Sequence, residues 1–245
     1  MVRINKFLAS CNLGSRRKVE DLIVQGKVCL NNIITTDLST LIDPEKDVVS
    51  VNNQVLTYKD EKLFILLNKP KGYIVTQKDE YNRKTIYDLL PDFARNLHPV
   101  GRLDADSEGL LLLTNDGNIT NKITHPLYKY EKTYKVIVTG KIKADDILLL
   151  RNGVDIGGYT TKTAKVFLNS SSDEKSELKI TIKEGKNRQI RKMIAAIGHE
   201  VISLKRLQIG EISIGKLPTG NWRFLNDKEI LHLLKRRFNE TRNNR

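Results

Sequence analysis

The chain has 245 residues, 39% of them hydrophobic, and 42 Lys plus Arg against 29 Asp plus Glu give a net charge of +13. That length buries a real core as one large domain or two modest ones, and the basic excess points to a polyanionic partner, most often nucleic acid. Two cysteines, Cys11 and Cys29, suit a reducing cytosol better than a disulfide scaffold and cannot build a metal cluster alone. Charges interrupt the first 20 positions, where a secretory signal needs an apolar stretch, and no run of about 18 apolar residues offers a membrane span. The expectation is a soluble, cytoplasmic, monomeric protein with no membrane partner.

In chain order, Ile4, Phe7 and Leu8 have helical spacing, and Asn12 with Gly14 marks a turn. Ser15 is the expected N-cap of a helix carrying Val19, Leu22 and Ile23 and stopping at Gly26. Lys27 to Asn31 reads as a short strand entering a turn at Asn31-Asn32. Between residues 3 and 27 six basic side chains (Arg3, Lys6, Arg16, Arg17, Lys18 and Lys27) face two acidic ones. They form either a solvated helix face or an RNA contact. Cations at a helix start oppose the macrodipole unless an anion sits there, which favours the RNA contact.

Residues 57–62, TYKDEK, read as a linker between two domains. LFILLNKPKGYIV follows as an apolar strand broken at Lys69-Pro70-Lys71-Gly72, either an edge hairpin or a cup for phosphate. KTYKVIVTG (132–140) and ELKITIKEG (177–185) alternate as strands, and ADDILLLRNGV reads as a helix ending at Gly153. NRQIRKMIAAIGHEV is expected to be a helix with Ile190, Met193, Ile194 and Ile197 on one face and Gly198 as its stop. DKEILHLLKRRFNETRNNR closes the chain as an amphipathic helix running into a polar tail.

The stretch GRLDADSEGLLLLTNDG, residues 101–117, sets an acidic island in this basic chain. Asp104, Asp106, Glu108 and Gly109 match the first positions of a calcium loop, but Asn115 stands where the bidentate glutamate belongs and leucines fill the interior of the motif. Paired carboxylates also serve acid–base chemistry in hydrolases. Metal-assisted versions need further ligands, and His98, His125, His199 and His232 are scattered without ligand spacing. The third reading is a turn presenting one carboxylate. Gly101 and Gly109 bracket it, Leu110–Leu113 supply a strand buried on both faces, and Asn115-Asp116-Gly117 closes it before a helix beginning at Asn118. A carboxylate beside an arginine stays ionised and is a competent nucleophile toward carbon.

Two resemblances then bear on function. The stretch Arg3 to Asn31, with its GSRRKVEDLI centre and GKV strand, resembles the small S4 RNA-binding module. GRLDADSEGLLLLTNDG resembles the signature of the pseudouridine synthases, in the branch that carries the RsuA, RluB, RluE and RluF enzymes. NKPKGYIVT, EKTYKV, EGKNRQIRKM and GHEVISLKRLQIG follow in that family's order. Ser107 stands where the family more often has threonine. EGKNRQIRKM and the LKR after it look closest to the RluB type, which acts on large-subunit ribosomal RNA; the RsuA type of the small subunit shares the architecture.

The resemblance implies an α+β protein. A small S4 (αL-type) RNA-binding domain, residues 1–60, precedes a catalytic domain, residues 61–240, with a mostly antiparallel sheet flanked by helices. It implies isomerisation of a uridine in ribosomal RNA with no cofactor and no metal. Asp104 would be the catalytic aspartate, Tyr134 would stack on the target base, and Arg191 would pair with the aspartate. Arg102 would brace the loop or the extruded nucleotide, and Leu204 would line the pocket wall. Without the resemblance Tyr134 reads as an ordinary strand aromatic and Arg191 as solvated helix charge. The flipped nucleotide needs backbone contacts in compensation, for which Lys186, Arg188 and Lys192, with Lys69 and Lys71, are the candidates. The runner-up is a non-catalytic RNA-binding or ribosome-assembly factor that retains the fold.

Overall fold

Short apolar stripes at the N-terminus become two helices. A computed structural model describes residues 1–11, 13–57, 61–128 and 130–235, and the chain divides into two units, Met1–Lys62 and Leu63–Arg245. In the first unit β1 (Val2–Arg3) leads into α1 (Ile4–Ser10), which buries Ile4, Phe7 and Leu8. Then comes α2 (Arg16–Val24), which buries Val19 and Ile23. Ser15 caps α2 as expected, its side chain accepting from the Lys18 amide at 3.3 Å. Asn12, read as part of the turn between these helices, lies outside the described residues.

The rest of this unit is built from two-residue hairpins. β2 (Val28–Leu30) pairs with β3 (Ile33–Ile34) across Asn31-Asn32, and β5 (Val49–Val51) pairs with β6 (Gln54–Val55) across Asn52-Asn53. All four asparagines have positive φ, the conformation that matches a tight turn to the twist of its strands, and asparagine tolerates it well. The sheet order is β3-β2-β5-β6, while β4 (Leu41–Ile42) pairs with β1. Their core gathers Ile4, Phe7, Leu8, Val19, Ile23, Val28, Ile42 and Val49. Of the linker 57–62, residues 58–60 lie outside the described residues.

The second unit is one nine-stranded sheet. Its strands are β7 (Phe64–Lys69), β8 (His98–Pro99), β9 (Glu108–Thr114), β10 (Lys132–Thr139), β11 (Lys165–Ser171), β12 (Lys175–Ile182), β13 (Val201–Ile209), β14 (Ile212–Ser213) and β15 (Trp222–Phe224). The order is β11-β12-β10-β13-β9-β7-β15, with β8 on β9 and β14 on β13. Every pairing is antiparallel apart from β9 with β13. This is the mostly antiparallel α+β architecture expected.

Both faces of the sheet are covered, which explains the run of four leucines. Leu111 and Leu113 join Ile65, Leu67, Tyr134, Val136 and Leu204 on one face, beneath α5 (Gln189–Ala196) with its buried Ile190, Met193 and Ile194. Leu110 and Leu112 join Phe64, Leu66, Ile209 and Leu225 on the other, against α3 (Gly117–Thr124) and α6 (Asp227–Lys235). Each fully buried leucine is worth about 1.5–3 kcal/mol, so β9 is anchored whatever its N-terminal end does. Ile197, expected on the buried stripe of α5, is only half-buried at its C-cap.

α4 (Ala144–Asn152) ends before Gly153 as read. α3 begins at Gly117 rather than Asn118, because the Asp116 side chain caps it by accepting from the amides of Asn118 and Ile119. His98 lies in the short strand β8. The tail expected beyond α6, residues 236–245, lies outside the described residues.

Candidate active site

Gly109 is the pivot of the site. It is paired with Lys69 on β7 and, across the parallel junction, with Arg206 on β13. Its φ is +108°, and a Cβ there would stand 2.3 Å from the Arg206 carbonyl oxygen and 2.7 Å from its amide nitrogen. Only glycine admits so close a strand. The closeness brings Lys69, the 101–107 loop and Arg206 together at the N-terminal end of β9.

Lys69 turns inward there. It is fully buried, and its ammonium donates to the main-chain carbonyls of Ser107 at 2.8 Å, Pro70 at 3.0 Å and Asp104 at 3.1 Å. All three of its protons are therefore used to hold the loop. The amide of Ser107 donates to the Asp104 carbonyl and that of Gly72 to the Ala105 carbonyl, at 3.1 and 2.7 Å. The backbone carrying Asp104 is thus tied from both sides. Burial pushes the Lys69 pKa down to about 8, against the pull of Asp106, Asp104 and Glu108. The expectation that Lys69 reaches RNA phosphates is corrected: strand alternation sends it into the protein, and the turn at Pro70 leaves Lys71 exposed.

Two arginines, one at the entry to α5 and one within it, complete the constellation. Arg188 takes a left-handed backbone at the N-cap of α5, and its Nη1 stands 3.7 Å from Asp104 Oδ2 while Nη2 stands 3.2 Å from Asp106 Oδ2. Arg191 Nη2 reaches the Asp106 carboxylate and donates to its carbonyl, both at 3.2 Å, and Nη1 donates to the Val201 carbonyl. Arg191 therefore pairs with Asp106, whereas the expected partner was Asp104. Arg188, three residues earlier and at the N-cap of α5, is the arginine that faces Asp104. Burial raises the Asp106 pKa, but the hydrogen bond from Arg188 and the charges of Arg191 and Arg188 outweigh that and hold it below the usual carboxylate range.

The approach to Arg188 is braced separately. The Glu184 carboxylate accepts from the Tyr159 hydroxyl, the Gln189 amide group and the Lys162 amide. Lys186 lies over the Tyr159 ring, 4.3 Å from its centre, and Lys192 is exposed on α5.

Tyr134 sits on β10 between Ile180 of β12 and Arg206 of β13 and is 8% exposed. Leu204, two residues before Arg206, is buried opposite Val136. Arg102 extends an exposed side chain, and its carbonyl lies 3.5 Å from Arg206 Nη1. Arg206 itself was not singled out in the sequence. It is 3% exposed, and its Nε donates to the Leu110 carbonyl at 2.7 Å. In the first unit Arg3, Lys6, Arg16, Arg17, Lys18 and Lys27 are all exposed.

Among the described residues no group of three or more His, Cys, Asp or Glu is placed to hold a metal ion, and no helix is long and apolar enough to cross a membrane. A depression of about 380 Å³ lined by Asn68, Glu108, Lys135, Ser203, Lys205 and Leu217 opens on the opposite face of the sheet. It includes none of Asp104, Tyr134, Arg191 and Leu204.

Asp104 on its tied loop, Arg188 facing it across 3.7 Å and buried Tyr134 on β10 make up the candidate site. Residues 63–196 match the RNA pseudouridylate synthase family and residues 2–49 match the S4 domain. The chain is 39% identical to ribosomal large subunit pseudouridine synthase B of Bacillus subtilis, over 95% of this chain and 96% of that protein. It is 38% identical to an uncharacterized RNA pseudouridine synthase of Aquifex aeolicus, over 96% and 94%. A solved pseudouridylate synthase superposes with a TM-score of 0.67 at 32% identity, covering 95% of this chain and all of the other. The chain belongs to the RNA pseudouridylate synthases and carries an S4 domain ahead of the catalytic unit.

Proposed function

We propose that this protein isomerises one uridine of large-subunit ribosomal RNA to pseudouridine, with Asp104 as the catalytic residue. The observation that carries the reading is the Asp104 turn, held at its backbone by Lys69 and faced by Arg188 at 3.7 Å. The side chain of Asp104 keeps 36% of its surface open, so a substrate can reach it. The similarity to synthase B of Bacillus subtilis along almost the whole chain supports the choice of the large subunit.

In this reading the uridine leaves its stack and enters beside Tyr134, at a cost of roughly a few kcal/mol. Tyr134 and Leu204 form the apolar wall against the base, and Arg102 braces the extruded nucleotide. The N1–C1′ bond breaks with its electron pair going to the base. The base turns, and C5 bonds to C1′ while its proton leaves and N1 is protonated. Asp104 acts either by adding to the base or by taking a proton during ribose elimination, and the adduct is released or the proton returned as the product forms. Arg191 orients the loop through Asp106, and Arg188 supplies the charge nearest Asp104. Lys71, Lys186 and Arg188 contact phosphates at the rim. The S4 domain, residues 1–60, grips a neighbouring stem through Arg3, Lys6, Arg16, Arg17, Lys18 and Lys27, chiefly by shape and phosphate. The protein works as a cytoplasmic monomer, without a cofactor or metal.

The test is pseudouridine mapping of ribosomal RNA from cells with and without the protein, by carbodiimide modification and primer extension. One site lost from large-subunit RNA is expected. A site lost from small-subunit RNA would overturn the choice of subunit, and no lost site would favour a binding factor.

A further inference from the structure

Lys132 and Arg206 are two cations on the tyrosine face of the sheet that the chemistry above does not use. On β10, Lys132 and Tyr134 project to the same side. Their partners on β12, Ile182 and Ile180, both lie in the core on that face. Arg206 stands directly across from Tyr134 on β13. Among the described residues neither Lys132 nor Arg206 forms an ion pair, and the side chain of Arg206 is buried with Nη2 lacking a hydrogen-bond partner. A charged nitrogen hidden from water without a partner is costly, and such groups in native proteins call for an explanation.

Lys132 is half-buried, its Nζ close to Gly185 at the turn that leads to α5. It senses the charge of Arg206, and burial together with that repulsion lowers its pKa to about 8. Lys69 in turn feels the charge of Arg206, so the three cations run from beneath the Asp104 loop to the foot of Tyr134. The protons of Lys69 are all committed to carbonyls. Of the Arg206 nitrogens only Nη2 is left without a partner.

Resting on the isomerase reading of Asp104, we propose that Lys132 Nζ and Arg206 Nη2 form a subsite for the uracil oxygens, holding the negative charge of the base while it is detached from ribose. Backbone phosphates remain at the mouth of such a site, whereas a base laid against Tyr134 brings O2 and O4 to these nitrogens. When the N1–C1′ bond breaks, its electron pair stays with the base, and the charge spreads over N1, O2 and O4. Fixed cations in a water-poor site stabilise that charge without reorganising. The base must then turn so that C5 meets C1′. An ammonium on a flexible stem is a point charge with rotatable donors and can follow the turning oxygen. Bond formation from C5 to C1′, loss of H5 to water and uptake of a proton at N1 discharge the pair.

The experiment uses the full chain with Lys132→Met and Lys132→Arg, Arg206 being left in place because it also holds the Leu110 carbonyl. Single-turnover rates are measured on RNA bearing uridine or 5-fluorouridine at the target, with melting temperature and RNA affinity as controls on folding. Lys132→Met is expected to lower the rate at saturating RNA by roughly 10²–10³-fold, the range for loss of one preorganised donor, with KM little changed and substantial rescue by arginine. The loss should be smaller for N1–C1′ cleavage in the 5-fluorouridine RNA, since that ring carries negative charge more readily. A raised KM at unchanged kcat would assign Lys132 to a phosphate and overturn the proposal, as would equal losses on both RNAs or no loss. Asp104→Asn assayed alongside tests the isomerase reading separately, so a failure at Lys132 counts against the subsite alone.

Discussion

The ammonium of Lys69 donates to the carbonyl oxygen of Ser107 at 2.8 Å, inside the protein and 38 residues along the chain. With its bonds to Asp104 and Pro70 it turns the 101–107 segment from a surface loop into a fixed support. A positioned carboxylate needs such a support, because small displacements of a reacting group cost large factors in rate.

Replacing Lys69 by methionine removes the side-chain donor to the Ser107 and Pro70 carbonyls, at about 1–3 kcal/mol for each one left buried and bare, while the Asp104 carbonyl keeps the Ser107 amide. The pH dependence carries a definite sign. The pKa of Lys69 falls from 10.5 to about 8 in the fold, so between these values the unfolded chain binds a proton that the folded chain has released. Its contribution therefore makes the protein gain stability as pH rises from about 8 to about 10.5. Lys132 shifts in the same direction but is present in both chains. The gap in melting temperature between wild type and Lys69→Met should widen across that window; a constant gap would contradict the assignment.

Asp104→Asn should abolish isomerisation, by roughly 10⁴-fold or more, with RNA affinity retained. The measurement is a single-turnover assay paired with filter binding. Turnover near the wild-type rate would remove Asp104 from the chemistry.

The two arginines of the site are expected to respond differently to lysine. Arg191 bridges the Asp106 carboxylate, the Asp106 carbonyl and the Val201 carbonyl, a fork that a lysine cannot reproduce. Arg191→Lys should lower both the melting temperature and kcat, the latter by about tenfold or more, equivalent to about 1.4 kcal/mol. Arg188 faces Asp104 across 3.7 Å mainly as a charge, and Arg188→Lys should stay within about threefold of wild type. The reverse ranking would place the essential pairing on Arg188.

Gly109→Ala should unfold or strongly destabilise the catalytic unit, by more than about 4 kcal/mol. The added methyl would meet backbone, at 2.3 Å from the Arg206 carbonyl, and a left-handed φ compounds the strain. Thermal melting of the purified variant reads this directly. A melting point within a few degrees of wild type would mean that β9 and β13 separate easily.

Substituting Arg16, Arg17 and Lys18 together by alanine in the intact chain should weaken RNA binding and flatten its salt dependence. Each lost phosphate contact lowers the slope of log K against log salt by about 0.7–0.9. An unchanged slope would show that the start of α2 is not a grip.

Much of the local structure was legible. Ile4, Phe7 and Leu8, the Ser15 cap, the alternation of 132–140 and the stripe of Ile190, Met193 and Ile194 all depend on residues within a turn or a strand of one another. The region from Gln77 to Val100 was assigned no element, because its ordered pieces are short 3₁₀ turns at Ile86–Leu89 and Asp92–Asn96 and the two-residue strand β8. Such elements are too brief to show periodicity. In the site, only the resemblance to the synthase motifs singled out Asp104, Tyr134, Arg191 and Leu204. It did not reveal that Lys69 faces inward, that Arg191 meets Asp106, or that Arg206 matters.

The sequence by itself determined the basic surface and the acidic turn through composition and a contiguous motif, and, through its resemblance to known families, the α+β class and the S4 module followed by a catalytic unit. Only the tertiary structure decided where the charges of that turn are spent. Lys69 reaches carbonyls 35 and 38 residues away, and Arg206 one 96 residues away. These contacts exist because an antiparallel and a parallel strand pairing meet at Gly109. Burial and pairing across such distances are set by strand register, which no neighbouring residue specifies.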